Sequence, residues 1–302
     1  MENVRRSIRL CLTMALFIIS FFPGKAQSEK LNIVVLGAHP DDADYKAGGT
    51  AILYAESGHN VLFVSMTNGD AGHHQLKGKK LAKIRKKEAS EAGKRMNITY
   101  LVLNHPDGKL MATLENRNEL IKIIREWNAD IVIGHRPNDY HPDHRNASVL
   151  MQDAAFMVIV PNIVPGVPPL KKNPVLLYME DAFQKPQPFS PDICIDISGV
   201  YTKKIYAMAA HKSQYFEWLP WTTHSLDQVP ENEEDRLAWL SEKRKSIITE
   251  EERNCLMKWY GKEPGTKIAL AESFEICEYG RHPSREEIIR LFPMLNNQNN
   301  IK

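Results

Sequence analysis

The sequence predicts an α/β fold: a Rossmann-like parallel-sheet sandwich with helices on both faces and a C-terminal helical extension. Three observations carry this reading. Short aliphatic runs such as Leu31-Asn32-Ile33-Val34-Val35-Leu36-Gly37 are apolar almost throughout, as strands buried on both faces are. These runs alternate with longer segments of helical periodicity, which argues for parallel strands joined by helical crossovers. No internal repeat or low-complexity tract interrupts the alternation.

Residues 31–37 form the first predicted strand and residues 60–66 the second, followed by a helix over 81–96. A third strand over 99–103, a helix over 114–127 and a fourth strand over 129–134 continue the pattern. A helix starting near Asp143 then runs to about 159, and 160–174 reads as a proline-rich loop. Strands over 175–179 and 193–197 precede a helix over 200–215. In the last third, 231–246 is amphipathic, and Thr249-Glu250-Glu251-Glu252 has the form of a capping box opening a helix that Gly261 ends. Ser284-Arg285-Glu286-Glu287 repeats that device. These helices are expected to pack on the sheet: residues 27–302 form one domain, with 31–215 as its α/β core and 216–302 as the extension.

Two turns carry the chemistry. His39-Pro40-Asp41-Asp42 follows the first strand and His141-Pro142-Asp143-His144 follows the fourth, so both open where open α/β sheets hold ligands. Proline after each histidine favours an extended residue at the strand-to-helix junction. A hydrolytic zinc site usually takes three ligands from His, Asp, Glu and Cys and keeps one position for water. His39, Asp42 and His144 supply such a set, Asp41 is free to act as base, and His141 faces the substrate oxygen or the leaving group. Iron(II) is the alternative ion.

The runs Ala38-His39-Pro40-Asp41-Asp42 and His141-Pro142-Asp143-His144 resemble the hallmarks of the PIG-L/LmbE-like N-deacetylases, which include N-acetylglucosaminyl-phosphatidylinositol de-N-acetylase. Gly48-Gly49-Thr50, taken as opening the first helix, and Thr67-Asn68-Gly69-Asp70-Ala71-Gly72 add to the likeness, which runs from about Leu31 to Gln214. The resemblance implies zinc on His39, Asp42 and His144, Asp41 as general base, and His141 stabilising the oxyanion or assisting the leaving amine. It implies hydrolysis of an acetamide on an N-acetylated sugar or glycoconjugate, with Asp41 or His141 as the acid. Many members carry Glu directly after the paired aspartates or one residue later; here Ala43 and Asp44 stand there. His211-Lys212-Ser213-Gln214 also resembles a family segment and receives no catalytic role.

Other strand ends supply secondary candidates. Asp107 matches a family acid that contacts substrate hydroxyls, although an Asp-Gly turn is the competing account. His73 and His74 are candidates to line the pocket, and Tyr140 to donate to the oxyanion. Arg85 and Glu88 read as a helix-surface pair, and Lys77 to Lys87 as a solvated face. Tyr215-Phe216-Glu217-Trp218-Leu219-Pro220-Trp221 is either a stacking platform for sugar rings or buried packing, the latter preferred.

The amino terminus has the form of a secretory signal. Arg5, Arg6 and Arg9 precede an apolar run over 10–22 and Pro23-Gly24-Lys25-Ala26, with cleavage expected after Ala26. Cys11 lies inside the run, so it is not a lipoprotein cysteine, and the run is short for a membrane span. An exported protein, periplasmic or extracellular, follows. Removing that segment takes the formal charge from +2 to about −1, which gives no basis for nucleic-acid binding. Cys194, Cys255 and Cys277 remain and allow at most one disulfide. A metal phosphoesterase wants two ions where one coherent ligand set is present, and a silent carbohydrate-binding protein would not need Asp41. No G-x-G-x-x-G follows the first strand, against dinucleotide binding.

Overall fold

A computed structural model describes residues 30–295; the expected signal peptide lies outside them. The strands are β1 (Asn32–Gly37), β2 (Asn60–Thr67), β3 (Thr99–His105), β4 (Ile131–Gly134), β5 (Val175–Met179), β6 (Ile193–Asp196) and β7 (Ala271–Ile276). They form one sheet in the order β3-β2-β1-β4-β5-β7-β6. β7 runs antiparallel to both its neighbours, while the remaining pairs are parallel. The helices are α1 (Asp42–Glu56), α2 (Gly78–Met96), α3 (Leu114–Glu126), α4 (Pro142–Met157), α5 (Tyr201–Met208), α6 (Leu219–Thr222), α7 (Glu233–Arg244), α8 (Glu250–Tyr260), α9 (Lys262–Lys267) and α10 (Arg285–Leu291). Among the described residues no helix is long and apolar enough to cross a membrane.

Both faces of the sheet are covered, which is why β1 is apolar throughout. Ile33 and Val35 join a core with residues of α1, α2, α5 and α8, whereas Val34 and Leu36 join one with residues of α3 and α4. The expectation of a purely helical extension is corrected by β7. Ala271-Glu272-Ser273-Phe274-Glu275-Ile276 carries two charged residues, yet it is inserted between β5 and β6. Its Glu272 is buried because it has a cation to meet.

That cation is Lys204 of α5, and together they wedge into α1. Glu272 Oε1 accepts from Gly49 N at 2.8 Å and its Oε2 from Thr50 N at 2.7 Å, while Lys204 Nζ donates to the Tyr45 carbonyl at 2.7 Å. Lys204 and Glu272 lie 2.8 Å apart. Gly49 permits this approach: a Cβ there would stand 2.7 Å from Ile197 and 3.1 Å from Glu272 Oε1. Gly48-Gly49-Thr50 thus lies within α1, which already begins at Asp42, rather than opening it.

A second buried pair ties α1 to the chain after α5. His211 Nε2 is 3.1 Å from Asp44 Oδ1, and Tyr100 Oη donates to Asp44 Oδ2 at 2.7 Å. Asp44 therefore neither caps α1 nor enters the site; it is fully buried structure. The helix expected over 200–215 stops at Met208, and a π-helical turn, Gln214–Trp218, follows the inward-facing His211. The capping box at Thr249 is complete, with Glu252 reaching back to Thr249 N at 2.9 Å. At Ser284 only half the device forms, because Glu287 pairs with Lys172 at 2.8 Å and with Arg281 instead.

Glu272→Ala leaves Lys204 buried without its partner and is expected to cost about 3–5 kcal/mol, read as a lower urea midpoint. A loss below about 1 kcal/mol would show the wedge to be neutral. Burial opposes protonation of His211, but Asp44 overrides it and raises its pKa. Its contribution to stability is therefore complete below about pH 6.5 and lost as pH rises through the raised folded value. Unfolding of wild type and His211→Gln across pH should show their stability difference shrinking on the alkaline side.

Candidate active site

The sheet order reverses between β1 and β4, the switch point at which open α/β sheets bind ligands. Ile33, Val34 and Val35 pair with Ile131, Val132 and Ile133, so the turns that follow leave the sheet side by side. Asp42 anchors the first turn: its Oδ2 accepts from the backbone N–H of Ala38 at 2.9 Å and of His39 at 2.7 Å. His141 caps α4 with Pro142 behind it, its Nδ1 accepting from Asp143 N at 3.2 Å. Asp143 in turn accepts from Gly108 N at 2.7 Å and Leu110 N at 3.1 Å, pinning the loop after β3.

Three donor atoms from these turns form a near-equilateral triangle. His39 Nδ1 stands 3.2 Å from His144 Nε2 and 3.4 Å from Asp42 Oδ2, and His144 Nε2 is 3.5 Å from the same oxygen. Tetrahedral coordination at about 2.0–2.1 Å requires ligand atoms about 3.3 Å apart. The other nitrogen of each histidine faces carboxylates: His39 Nε2 meets Asp143 at 3.2 Å and Asp107 at 3.3 Å, and His144 Nδ1 meets Asp139 at 3.0 Å. Such partners fix the proton on the outer nitrogen and turn the inner lone pair toward the shared point. Two lone pairs and an anionic oxygen directed at one point need a cation there, and these residues fit a divalent metal. His141 is close enough for one of its nitrogens to share this cluster, within 4.8 Å of those of His39 and His144.

The charges follow the same geometry. Burial opposes protonation of His39, but Asp107, Asp143 and Asp42 raise its pKa well above the usual range. Burial likewise opposes ionisation of Asp42, and His144, His135 and His39 nonetheless hold it well below the carboxylate range. Asp41 differs: burial raises it, Arg85 opposes and Asp42 adds to the rise. Arg85 Nη2 binds Asp41 Oδ1 at 2.8 Å and the Pro40 carbonyl at 2.8 Å. Burial lowers the pKa of His141, and His39 and His144 push it the same way, so its neutral form is favoured.

The site differs from the sequence reading at several residues. Arg85, expected on the surface of α2, is buried and holds Asp41; its expected partner Glu88 accepts instead from Ser213 N at 2.8 Å and Ser213 Oγ at 2.6 Å. The neighbouring Lys79, Lys80, Lys83, Lys86 and Lys87 are exposed, as the solvated-face reading requires. Sequence reasoning missed His135: it is buried just past β4, its Nε2 lies 3.2 Å from Asp42 Oδ2, and its ring stacks on His144 at 4.1 Å. With its proton on Nε2 the ring donates to Asp42 Oδ2, the oxygen that also accepts the Ala38 N–H, and so supports Asp42. Its place at a strand's carboxyl end was the available signal, as it was for Asp139.

A cleft of ≈ 820 Å³ opens over these groups. Asp107 lines it, but both its oxygens are engaged, one by His39 and the other by Gly72 N at 3.0 Å. Tyr140 stands at the mouth, 72% exposed. His73 and His74 do not line the cleft. His73 Nε2 binds Glu217 at 2.8 Å, and His74 stacks between His73 and Trp221, which stacks on Trp218. The aromatic segment divides accordingly: Tyr215 and Phe216 are buried, Trp218 forms cleft wall, and Trp221 is exposed.

Comparison with known proteins agrees with this geometry. Residues 34–155 match the family model described as PIG-L, GlcNAc-PI de-N-acetylase. Diacetylchitobiose deacetylase of Thermococcus kodakarensis is 29% identical over 63% of this chain and 73% of its own. A 4-oxalmesaconate hydratase of Pseudomonas putida is 26% identical over 65% and 78%. The solved N,N'-diacetylchitobiose deacetylase of Pyrococcus horikoshii has the same fold, with a TM-score of 0.61 at 24% identity over 82% of this chain and 84% of that one. The two turns at the β1–β4 switch point thus lie in the segment that matches the PIG-L family model, and the chain is similar in sequence and fold to the diacetylchitobiose deacetylases.

Proposed function

We propose that the protein is an exported, metal-dependent hydrolase that removes the acetyl group from an N-acetylated amino sugar or glycoconjugate. The observation that carries this reading is the convergence of His39 Nδ1, His144 Nε2 and Asp42 Oδ2 beside a separate carboxylate, Asp41. Zinc suits this mixed nitrogen and oxygen set, and iron(II) is the alternative. The N-terminal segment with the form of a secretory signal supports export, and export favours glycans or glycolipids over cytoplasmic metabolites.

A divalent ion held by His39, Asp42 and His144 would supply a water of lowered pKa and polarise the amide carbonyl. Asp41, its carboxylate oriented by Arg85, accepts the proton of the attacking water. Its raised pKa makes it a stronger base than an ordinary aspartate. His141 accepts the Asp143 N–H at Nδ1, so the neutral ring carries its proton on Nε2 and can donate it to the developing oxyanion. Asp41, once protonated, is the acid for the departing amine.

The hydratase relative supports a second reading, addition of water across a conjugated carbon–carbon double bond with the same base. Acetate release from N-acetylglucosamine and N,N'-diacetylchitobiose decides between them: release supports the deacetylase, and its absence with turnover of an unsaturated dicarboxylate supports the hydratase.

Metal analysis should find about one ion per wild-type chain and little in His144→Ala, whereas Asp41→Asn should keep its metal and lose on the order of 10²–10⁴ in kcat. Equal metal in wild type and His144→Ala would overturn the ligand set, and near-normal turnover by Asp41→Asn would overturn the base. His141→Ala should also keep its metal while losing turnover.

The acid limb of kcat/KM should follow Asp41, activity falling as pH falls through its raised pKa. Because Arg85 lowers that pKa, Arg85→Met should move the limb to higher pH. An unmoved limb would separate Asp41 from the pH profile.

A further inference from the structure

Two cations, Lys46 and Arg244, stand on the wall of the cleft. Arg244, the last residue of α7, lays its guanidinium against the rings of Tyr45 and Tyr215, 5.3 and 5.0 Å from their centroids. Its Nε is buried without a hydrogen-bond partner. Lys46 holds its ammonium 4.9 Å from the centroid of the same Tyr45 ring. Both residues line the cleft that contains His39, Asp41 and His144, and among the described residues neither makes an ion pair. The other guanidiniums of the cleft are engaged: Arg85 by Asp41 at 2.8 Å, Arg136 by Asp181 at 3.0 Å and Glu275 at 3.4 Å.

Two like charges gathered around one ring repel each other, and a half-buried guanidinium with an unmet Nε loses hydration without compensation. An oxyanion bound between them relieves both costs, since the guanidinium fork matches the two oxygens of a carboxylate or phosphate. Glu180 shares this wall, but among the described residues it makes no ion pair with Lys46 or Arg244. Arg244 and Tyr215 lie outside residues 34–155, so this wall joins Tyr45 and Lys46 of the matched segment to the part of the chain beyond it.

We propose that Lys46 and Arg244 form a subsite for an anionic substituent, a carboxylate or phosphate, carried by the N-acetylated substrate. The subsite rests on the reading that the acetamide reacts at the His39, Asp42 and His144 cluster. It selects substrates by charge at a position remote from the bond broken, and it changes affinity rather than the chemical step.

The test compares N-acetylmuramic acid and N-acetylglucosamine 6-phosphate with neutral N,N'-diacetylchitobiose, in acetate release and in a ligand-observed NMR titration of the intact protein. Wild type should favour at least one anionic probe, which identifies the oxyanion. Arg244→Met should raise the KM and Kd for that probe on the order of tenfold, with kcat and all values for the neutral sugar within about twofold. Arg244→Lys should retain part of the preference. Lys46→Met, at a half-buried wall position, should shift in the same direction and serves if Arg244→Met fails to fold. Equal losses on neutral and anionic probes, or tighter wild-type binding of the neutral sugar than of both anionic ones, would overturn the subsite. If wild type releases no acetate from any probe, the deacetylase reading fails, and the titration still decides whether anions bind at Arg244.

Discussion

Two imidazole lone pairs and a carboxylate oxygen are held facing one point, and much of the surrounding structure serves to hold them there. Left to themselves, His39 and His144 would turn apart or share a proton at 3.2 Å. Asp143, Asp107 and Asp139 prevent this by taking the outer ring nitrogens. Each of those carboxylates also accepts from the backbone. Asp143 receives the N–H groups of Gly108 and Leu110, Asp107 that of Gly72, and Asp139 that of His141. The loops after β2, β3 and β4 are therefore ordered by the same groups that orient the histidines, and a change in one loop reaches the donor cluster through a single carboxylate.

The C-terminal part of the chain is bound into this arrangement. β7 supplies Glu272, which meets Lys204 inside α1 one turn beyond Asp44, while His211 holds Asp44 itself. α1 begins at Asp42 with Asp41 just before it, so its placement sets both carboxylates. A buried ion pair is a costly way to pack a helix, and hydrophobic replacements are often as stable. Its use here fixes α1 in angle and register relative to β7, which apolar packing at a pair of glycines would leave loosely defined.

Strand positions, the switch point and the two histidine turns were legible because each rests on local pattern: unbroken aliphatic runs for β1, β2 and β4, and His-Pro turns following β1 and β4. What stayed hidden depends on long-range partners. Arg85 sits in a lysine-rich stretch whose other members are solvated, and nothing local marks it as the residue that turns inward to Asp41. β7 reads as charged because its Glu272 and Glu275 meet Lys204 and Arg136, cations far away in sequence. His135 lacks a following proline, and its role appears only when Asp42 is brought beside it.

The division between motif and wall bears on what such a site can do. An activated water, a base and a donor to an oxyanion will serve amide hydrolysis and hydration of a conjugated double bond equally, since both place negative charge on a carbonyl oxygen. That relatives of this chain carry both a deacetylase and a hydratase name is therefore no contradiction. The difference between the reactions lies in which electrophile the cleft presents to Asp41. In this chain the cleft is lined by Tyr140, Trp218, Lys46 and Arg244, three of them on loops or helices outside the two turns and two of them beyond residues 34–155. The matched segment holds the donor cluster, and the later helices, tied to it through Glu272 and His211, build part of the cleft wall above it.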